Sequence, residues 1–488
     1  MRVMNHWQKS LNAWASKPFV RQLQARFPRA EIFLVGGAVR DAILGRPTQD
    51  VDFVVRNVGK APLERFLAQH GTVNLVGKRF GVFKFKPTGL SAYDLDIALP
   101  RTEHSLQHSG AYRDFKISSN SALPIEQDLS RRDFTVNAMA WDLYGRRLVD
   151  PFGGMADLKK KIIRTVGAPR QRFGEDYSRL LRAIRFAGQI GFTIDKQTWS
   201  ALRADIKKLN RTAGGERIVP FEVIAKELVK MFDADPIEAL TRLDRSGALQ
   251  LLMPELLKMK GCPQPRNWHA EGDVWKHTRL ALRHLTSASF RREFGATRIP
   301  SAVIWGLVFH DVGKPFTISR SDRLRFNNHD GVSTALFKKT ATRLKLSSAG
   351  LDVEATGAII ARHMLLVHGQ ADKMKATTVE KYFFSDRFPG QLLLRLMFAD
   401  ISATVPPSGK PDFSDYRRLT RRLARLTKRS PGKRALPQPI LDGHELMRHL
   451  RLPAGPKIGE LLLLLREAQL RGTIKTKKQA LALLKKRR

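Results

Sequence analysis

Cysteine is almost absent: the 488 residues contain one, Cys262. A single thiol excludes an internal disulfide and any cysteine-based zinc site within one chain, and it fits a reducing, cytoplasmic compartment. Long apolar runs are also missing. A bilayer span needs roughly 18 apolar residues, and the run 461–465 is far shorter, so no membrane partner is expected. Acidic residues are scarce, 45 against 86 Lys and Arg, which leaves a formal charge of +41. The first thirty residues hold Arg2, Lys9, Lys17, Arg21, Arg26 and Arg29 and no acid at all. Such a start mimics a transit peptide. The basic excess covers the whole chain, however, and an amphipathic helix over 1–30 is the expectation. A charge this large favours polyanions through counterion release and steering, with nucleic acid first among them. No regular internal repeat is present.

The most informative segment runs from Val35 to Asp52. A hydrophobic strand, 32–35, delivers Gly36 and Gly37 into a tight turn, a helix signal follows over 38–44, and AspValAspPheValVal then reads as a second strand. Glycine lets backbone approach a phosphate closely, and helix N-termini present free N–H groups to it. Asp50 and Asp52 are two apart, so on a strand they share a face. Two carboxylates on one face repel unless a cation lies between them. Mg²⁺ is the expected ion, because it takes few protein carboxylates and completes its shell with phosphate oxygens and water. A GlyGly pair alone is a turn, and alternating aspartates alone are a solvated strand face. Together, in this order, they point to metal-dependent nucleotidyl transfer.

Strand-like and helical segments alternate from 31 to about 164, as in a compact α/β head. ValPheLysPheLys (82–86) and AspLeuAspIleAla (94–98) alternate like half-buried strands, and a polar loop is expected over 103–126. In the second strand Asp94 and Asp96 share a face, and the residues alone leave either open as a third acid, to bind metal or deprotonate an attacking hydroxyl. ArgArgAspPheThrValAsn supplies Arg132, whose guanidinium fork matches a triphosphate. It also supplies Asp133 and Asn137, which on a helix would share a face and serve the ribose or the turn geometry; Asp133 as a plain helix cap remains equally open.

From about 173 to 257 the pattern is helical. In GluAspTyrSerArgLeuLeuArgAlaIleArgPhe (175–186), Asp176, Arg179, Arg182 and Arg185 recur every three residues as one polar stripe, against an apolar stripe of Leu180, Leu181, Ile184 and Phe186. Cytosine and adenine both show an amino donor beside a ring-nitrogen acceptor; guanine and uracil reverse that pattern. An accepting Asp176 beside a donating Arg179 would admit the first pair and reject the second. Arg182 and Arg185 would reach phosphates. The blander reading is an exposed, salt-bridged helix face.

After a break at 261–267 a further helical region runs to about 404. His277, His310, Asp311 and Asp400 make a His/His/Asp/Asp metal set, suited to a divalent transition metal that activates water for phosphoester hydrolysis. His329, His363 and His368 stand as ligands for a second ion or for phosphate. The segments 406–411 and 430–439 read as linkers, and Arg417, Arg418, Arg421, Arg422 and Arg425 form a basic helix face between them.

The GlyGlyAlaValArgAsp segment, AspValAsp at 50–52, ArgThrGlu at 101–103, ArgArgAspPheThrValAsnAlaMet, AspProPheGlyGly and the 175–186 segment together resemble the class II tRNA nucleotidyltransferases. These are the CCA-adding enzymes and their bacterial poly(A) polymerase relatives. The resemblance covers roughly 30–260. It implies that Asp50 and Asp52 bind Mg²⁺, selects Asp96 as the third acid, and gives the nucleotide to Gly36, Gly37, Arg40 and Arg132, with Asp176 and Arg179 as a protein template for CTP and ATP. Residues 265–405 look like an HD phosphohydrolase domain, and the end of the chain is similar to the family's tRNA-binding part. Near 214–223 the family's GluArg motif is extended. The loop after ArgThrGlu is retained, and in the family a loop there helps the switch from C to A addition, which favours full CCA addition.

The expected fold class is α+β: an α/β nucleotidyltransferase head followed by all-α neck, HD and tail domains. Its parts are an N-terminal helix (1–30), the head (31–165), the nucleotide-recognition neck (166–262), the HD domain (263–405), and a basic linker with tRNA-binding helices (406–488). The expected activity is addition of C, C and A to tRNA 3′ ends from CTP and ATP. The alternatives are A-only or poly(A) addition, and RNA-end or nucleotide hydrolysis through the HD domain.

Overall fold

The computed structural model describes residues 5–48, 50–76, 82–90, 93–105, 110, 115–320, 323–366, 370–428 and 438–485. The chain divides into two compact units, Met1–Leu252 and Met253–Arg488; the division falls ahead of the break expected at 262/263.

The first unit is built on a seven-stranded sheet. Its strands are β1 (Glu31–Val35), β2 (Asp50–Arg56), β3 (Gly71–Val76), β4 (Val82–Pro87), β5 (Asp94–Ala98), then, after the separate hairpin of β6 (Arg101–Ser105) and β7 (Phe115–Ser119), β8 (Ala140–Asp142) and β9 (Arg147–Val149). The spatial order is β3-β4-β5-β2-β1-β8-β9. Strand β2 runs antiparallel to β1 and parallel to β5, because the chain crosses over through the Lys60–His70 helix and the β3–β4 hairpin before returning. The polar loop expected over 103–126 is in part this β6–β7 hairpin; Thr and β-branched residues within it pair as strands despite the polarity.

Period-two alternation divides β2 between two environments. Val51 and Phe53 are buried, and Phe53 meets Trp14 and Phe19 edge-on. The N-terminal segment therefore forms two helices, His6–Asn12 and Pro18–Arg26, broken where Pro18 starts the second. They close one face of the sheet, with Trp141 Nε1 donating to Asn12 Oδ1 at 2.9 Å. On the other face Val54 joins Phe33, Val35, Ile125, Leu129, Ala138, Ala140 and Val166 in an apolar cluster. Asp50 and Asp52 lie on that same face, at the end of the strand where the cluster stops.

The helices Ser178–Ile190 and Phe221–Ala234 follow the sheet, with a short hairpin at 212–217 between them that accommodates the extended 214–223 segment.

The second unit packs the helices Val274–His284, Ser301–Phe309, His329–Arg343, Val353–Ile360 and Gly390–Ala403. The Ser301–Phe309 helix is apolar all round and central: residues 302–309 are all buried. A Cβ on Gly306 would stand 2.8 Å from Leu396 Cδ1, so glycine sets how closely two helices approach there. The helices Gly443–Leu450, Pro456–Arg471 and Lys477–Lys485 share a smaller core around Leu446, Leu465 and Leu484; of the run 461–465, Leu461, Leu462 and Leu464 pack against it and Leu463 is exposed. Glu467 accepts the N–H groups of Ala376 and Thr377, both at 2.9 Å, which caps the Ala376–Phe383 helix. The basic face of the Ser414–Lys428 helix is partly structural. Arg422 donates to the carbonyls of Ala371 and Met374, and Arg418 pairs with Asp415 at 2.7 Å. The expected linker 430–439 lies largely outside the described residues. Among the described residues no helix is long and apolar enough to cross a membrane.

Candidate functional site

Strand register brings the acids together. Asp50 stands opposite Asp94, and Asp52 opposite Asp96, across the parallel β2–β5 pair; Asp94's side chain lies outside the described residues. Asp96 is also in register with Lys84 of β4, whose Nζ lies 3.1 Å from Asp96 Oδ1 in a half-exposed pair. Such a pair is weak. Asp52 sits beside Val35, the last residue of β1, and the chain then turns through Gly36 at φ +68°. A Cβ there would lie 2.6 Å from Arg132 Nη1 and 3.5 Å from Asp52 Oδ2. Gly36 is thus required both by its backbone conformation and by the passage of Arg132. Gly37 opens the Gly37–Ile43 helix.

The Asp52 carboxyl is pushed up to about 6. Burial is the main cause; Arg132 opposes it, Asp50 and Asp96 add to it, and Lys84 opposes it more weakly. A carboxylate that takes a proton this readily, beside two others, is short of positive charge, and a divalent cation would supply it.

Arg132 is held from behind. Its Nη2 lies 3.4 Å from Asp128 Oδ2 and its Nη1 3.5 Å from the Asn137 carbonyl. Asp128 is fully buried; despite that burial, Arg131 and Arg132 keep its pKa below the usual carboxylate range.

Asp133 and Asn137 do not lie on an α-helix. A short 3-10 turn, Thr135–Asn137, follows an extended Phe134, because the chain pairs there with Thr165 instead of coiling. Asp133 is no helix cap either, since its Oδ1 accepts from the N–H of Phe134 and from Asn137 Nδ2. The two residues still meet, within a buried polar chain. Arg40 Nη1 donates to Asn137 Oδ1 at 2.6 Å. Asp133 Oδ2 accepts from Arg182 Nε and Nη2 at 2.8 and 2.6 Å. Arg185 Nε donates to Glu227 Oε2 at 2.6 Å. Asp133 is held at about 2: burial works against this, and the Arg182 ion pair overcomes it. The guanidiniums of Arg40, Arg182 and Arg185 surround the Phe186 ring at 5.3, 5.3 and 3.9 Å.

The polar stripe of 176–185 is not the exposed salt-bridged face of the blander reading. Arg179 and Arg185 are buried, and Asp176 precedes the helix, where its Oδ1 accepts the Ser178 N–H at 2.8 Å. Arg179 donates to the Arg172 and Arg131 carbonyls at 3.0 and 3.1 Å and pairs with Glu175. Its guanidinium plane is therefore fixed. Glu175 and Glu227 were not singled out from the sequence; Glu175, four residues before Arg179, carried the only local signal.

The second unit gathers His277, His310, Asp311 and Asp400, as expected. Asp400 Oδ1 lies 2.9 and 3.5 Å from the Nε2 atoms of His277 and His310, and Asp311 Oδ2 lies 3.3 Å from His310 Nε2. His329 and His363 are adjacent, each near Asp311 Oδ1 at 3.4 and 3.7 Å; His368 lies outside the described residues. Burial disfavours a charged His310, yet Asp311 and Asp400 hold its pKa up at about 10. These nitrogens and oxygens suit a divalent transition metal. Sequence reading passed over Glu271, whose Oε1 accepts from both His269 and His277 Nδ1 at 2.7 and 2.8 Å. Only its position six residues before His277 hinted at this contact.

Comparison with known proteins places the chain. Residues 32–164 match the model of the poly A polymerase head domain. An A-adding tRNA nucleotidyltransferase of Deinococcus radiodurans is 36% identical over 374 residues, 74% of this chain and 79% of that protein. A multifunctional CCA protein of Nitrosomonas europaea is 31% identical over 385 residues, 79% of this chain and 85% of that one. A Bacillus stearothermophilus CCA-adding enzyme solved with CTP has the same fold, with a TM-score of 0.63 at 21% identity over 99% of this chain and 98% of that one. By identity and coverage, this chain belongs to the family of tRNA nucleotidyltransferases and poly(A) polymerases.

Proposed function

We propose that this nucleotidyltransferase adds C, C and A to tRNA 3′ ends from CTP and ATP, with Mg²⁺, in the cytoplasm. The observation that carries the reading is the carboxylate group of Asp50, Asp52 and Asp96, in register on two strands beside Arg132 and the Gly36 turn. Mg²⁺ held by Asp50 and Asp52 would supply charge to the triphosphate and Lewis-acid activation at its α-phosphorus. Asp96 orients or deprotonates the attacking 3′-hydroxyl. Arg132, fixed by Asp128, takes the triphosphate, with Gly36 and Gly37 leaving room for its oxygens. Arg40, Asn137, Asp133 and Arg182 bind one another and Arg185 binds Glu227, so they shape the nucleotide site and hold Arg40 and Arg182 at its wall. Asp176 and the clamped Arg179 read the base edge: a donor plane set in advance penalises a guanine or uracil edge. The basic surface holds the tRNA backbone, read by shape.

Replacing Asp50 and Asp52 by Ala tests this. Nucleotide addition is lost while tRNA binding persists; an undiminished rate would refute the assignment. A-only addition is the alternative within the family, favoured by the A-adding Deinococcus relative. A second activity rests on a separate observation. The cluster of His277, His310, Asp311 and the half-buried Asp400 supports a metal-dependent phosphohydrolase in the region 263–405.

A further inference from the structure

Phe186 stands out of place on its helix. Leu180, Leu181 and Ile184 are fully buried and form the apolar stripe, but Phe186 lies four residues after Arg182 and seven after Arg179, on the polar face. It is only 8% exposed there, and three guanidiniums surround its ring: Arg185 at 3.9 Å, Arg40 and Arg182 both at 5.3 Å from the ring centre. The face of an aromatic ring is negative. A cation within about 6 Å of its centre is attracted to it, more strongly where water is kept away. A leucine would fill much of the same space but offer no such charge.

The ring is itself held. Phe134 meets it edge-on, with centres 5.8 Å apart and planes at 75°. Arg40 and Arg185 are buried and tied down, Arg40 by Asp41 and Asn137, Arg185 by Glu227 and Gln189. Arg182 differs, for its side chain is 35% exposed. Its Nε and Nη2 share one oxygen of Asp133, and its Nη1 lies 3.9 Å from Glu227 Oε1, beyond hydrogen-bond range. The Asp133 pair and the Phe186 ring thus hold the one guanidinium of these three that reaches the surface. An arginine gives up rotamer freedom on binding phosphate, and a site that orders it beforehand binds more tightly.

We propose that Phe186 is a positioning residue for nucleotide addition, its ring fixing the Arg182 guanidinium for the phosphates of the incoming nucleotide. This rests on the nucleotide-transfer reading above and adds to it a residue that acts through Arg182. Phosphates are common to CTP and ATP, whereas base choice in that reading belongs to Asp176 and Arg179. Draining the negative charge from the ring face therefore weakens the binding of both nucleotides by one factor and leaves base choice alone. Uniform binding is what is lost, so KM rises and kcat stays.

The test uses the full chain with Phe186→Tyr, with Phe186→Leu, and with a trifluorinated phenylalanine placed at the same position by codon suppression. Fluorine draws negative charge from the ring face and nearly keeps its shape. KM and kcat are measured for CTP on tRNA ending before CCA and for ATP on tRNA ending after CC. Phe186→Tyr should match the unaltered chain. KM for both nucleotides should rise about tenfold in Phe186→Leu, and by a smaller factor, equal for the two, in the fluorinated chain, with kcat retained in each. An unchanged KM in the fluorinated chain would mean that the ring only packs, and overturns the proposal whatever Phe186→Leu does. A rise for one nucleotide alone, or a fall in kcat at constant KM, overturns it as well. No addition by the unaltered chain overturns the transfer reading, and the proposal with it. The fluorinated ring keeps the packing, so a Phe186→Leu chain that fails to fold does not decide the matter.

Discussion

Asp133 is held by charge in a place that burial alone would make hostile to it. Its pKa is depressed to about 2 in the folded chain. A depressed carboxylate contributes stability that is present above its unfolded pKa and lost as the pH falls through its folded one. For Asp133 that window runs from about pH 4 down to about pH 2, and the contribution is on the order of 2 kcal/mol. Asp133→Asn should therefore destabilise the protein at pH 7, and the gap from the unaltered chain should close between pH 4 and pH 2. Urea unfolding of both proteins at several pH values reads that difference directly, and a gap independent of pH would contradict the account. The aspartate was legible in the sequence, but its role was not. Arg182, its partner, lies 49 positions away, and only the fold shows that the pair is buried.

At the scale of elements, the strands and the glycine turn were legible. Alternation marked β2, β4 and β5, and GlyGly before a helix signal marked the turn, because period and turn chemistry are local properties. The 3-10 turn at 135–137 and the β6–β7 hairpin were not, because the bridge from Phe134 to Thr165 and the pairing of β6 with β7 overrode local preference. Gly36→Ala puts a Cβ 2.6 Å from Arg132 Nη1 and forces a strained φ. It should lower the rate of nucleotide addition about a hundredfold or more, since losing one pre-set electrostatic group costs that much. Unchanged kinetics would show that Arg132 does not need the space. Glu175 is an element-scale prediction of another kind. Glu175→Gln removes the charge that clamps Arg179, so discrimination against GTP and UTP should relax about tenfold while helix content by circular dichroism is retained. Fidelity unchanged in competition assays would detach Arg179 from base choice.

For the whole molecule, composition spoke clearly on one point only. A charge of +41 predicts tRNA binding that weakens steeply with salt. With several phosphates neutralised, affinity should fall at least about tenfold between 50 and 200 mM salt, measurable by filter binding; a flat dependence would mean that the basic excess serves something else. The candidate metal site of the second unit was half legible. HisAsp followed by GlyLys exposed one candidate ligand pair, whereas the contacts of the His310, His329 and His363 Nδ1 atoms with backbone carbonyls are a property of the fold that no spacing reveals. The central claim is stepwise CCA addition, and one assay addresses it most directly. Transcripts of tRNA ending before CCA, after C and after CC are each offered CTP or ATP alone with Mg²⁺. The account predicts C added to the first and second, A to the third, and then a stop. Addition of A to the third transcript alone, a long A ladder, or no addition to any of them would contradict it.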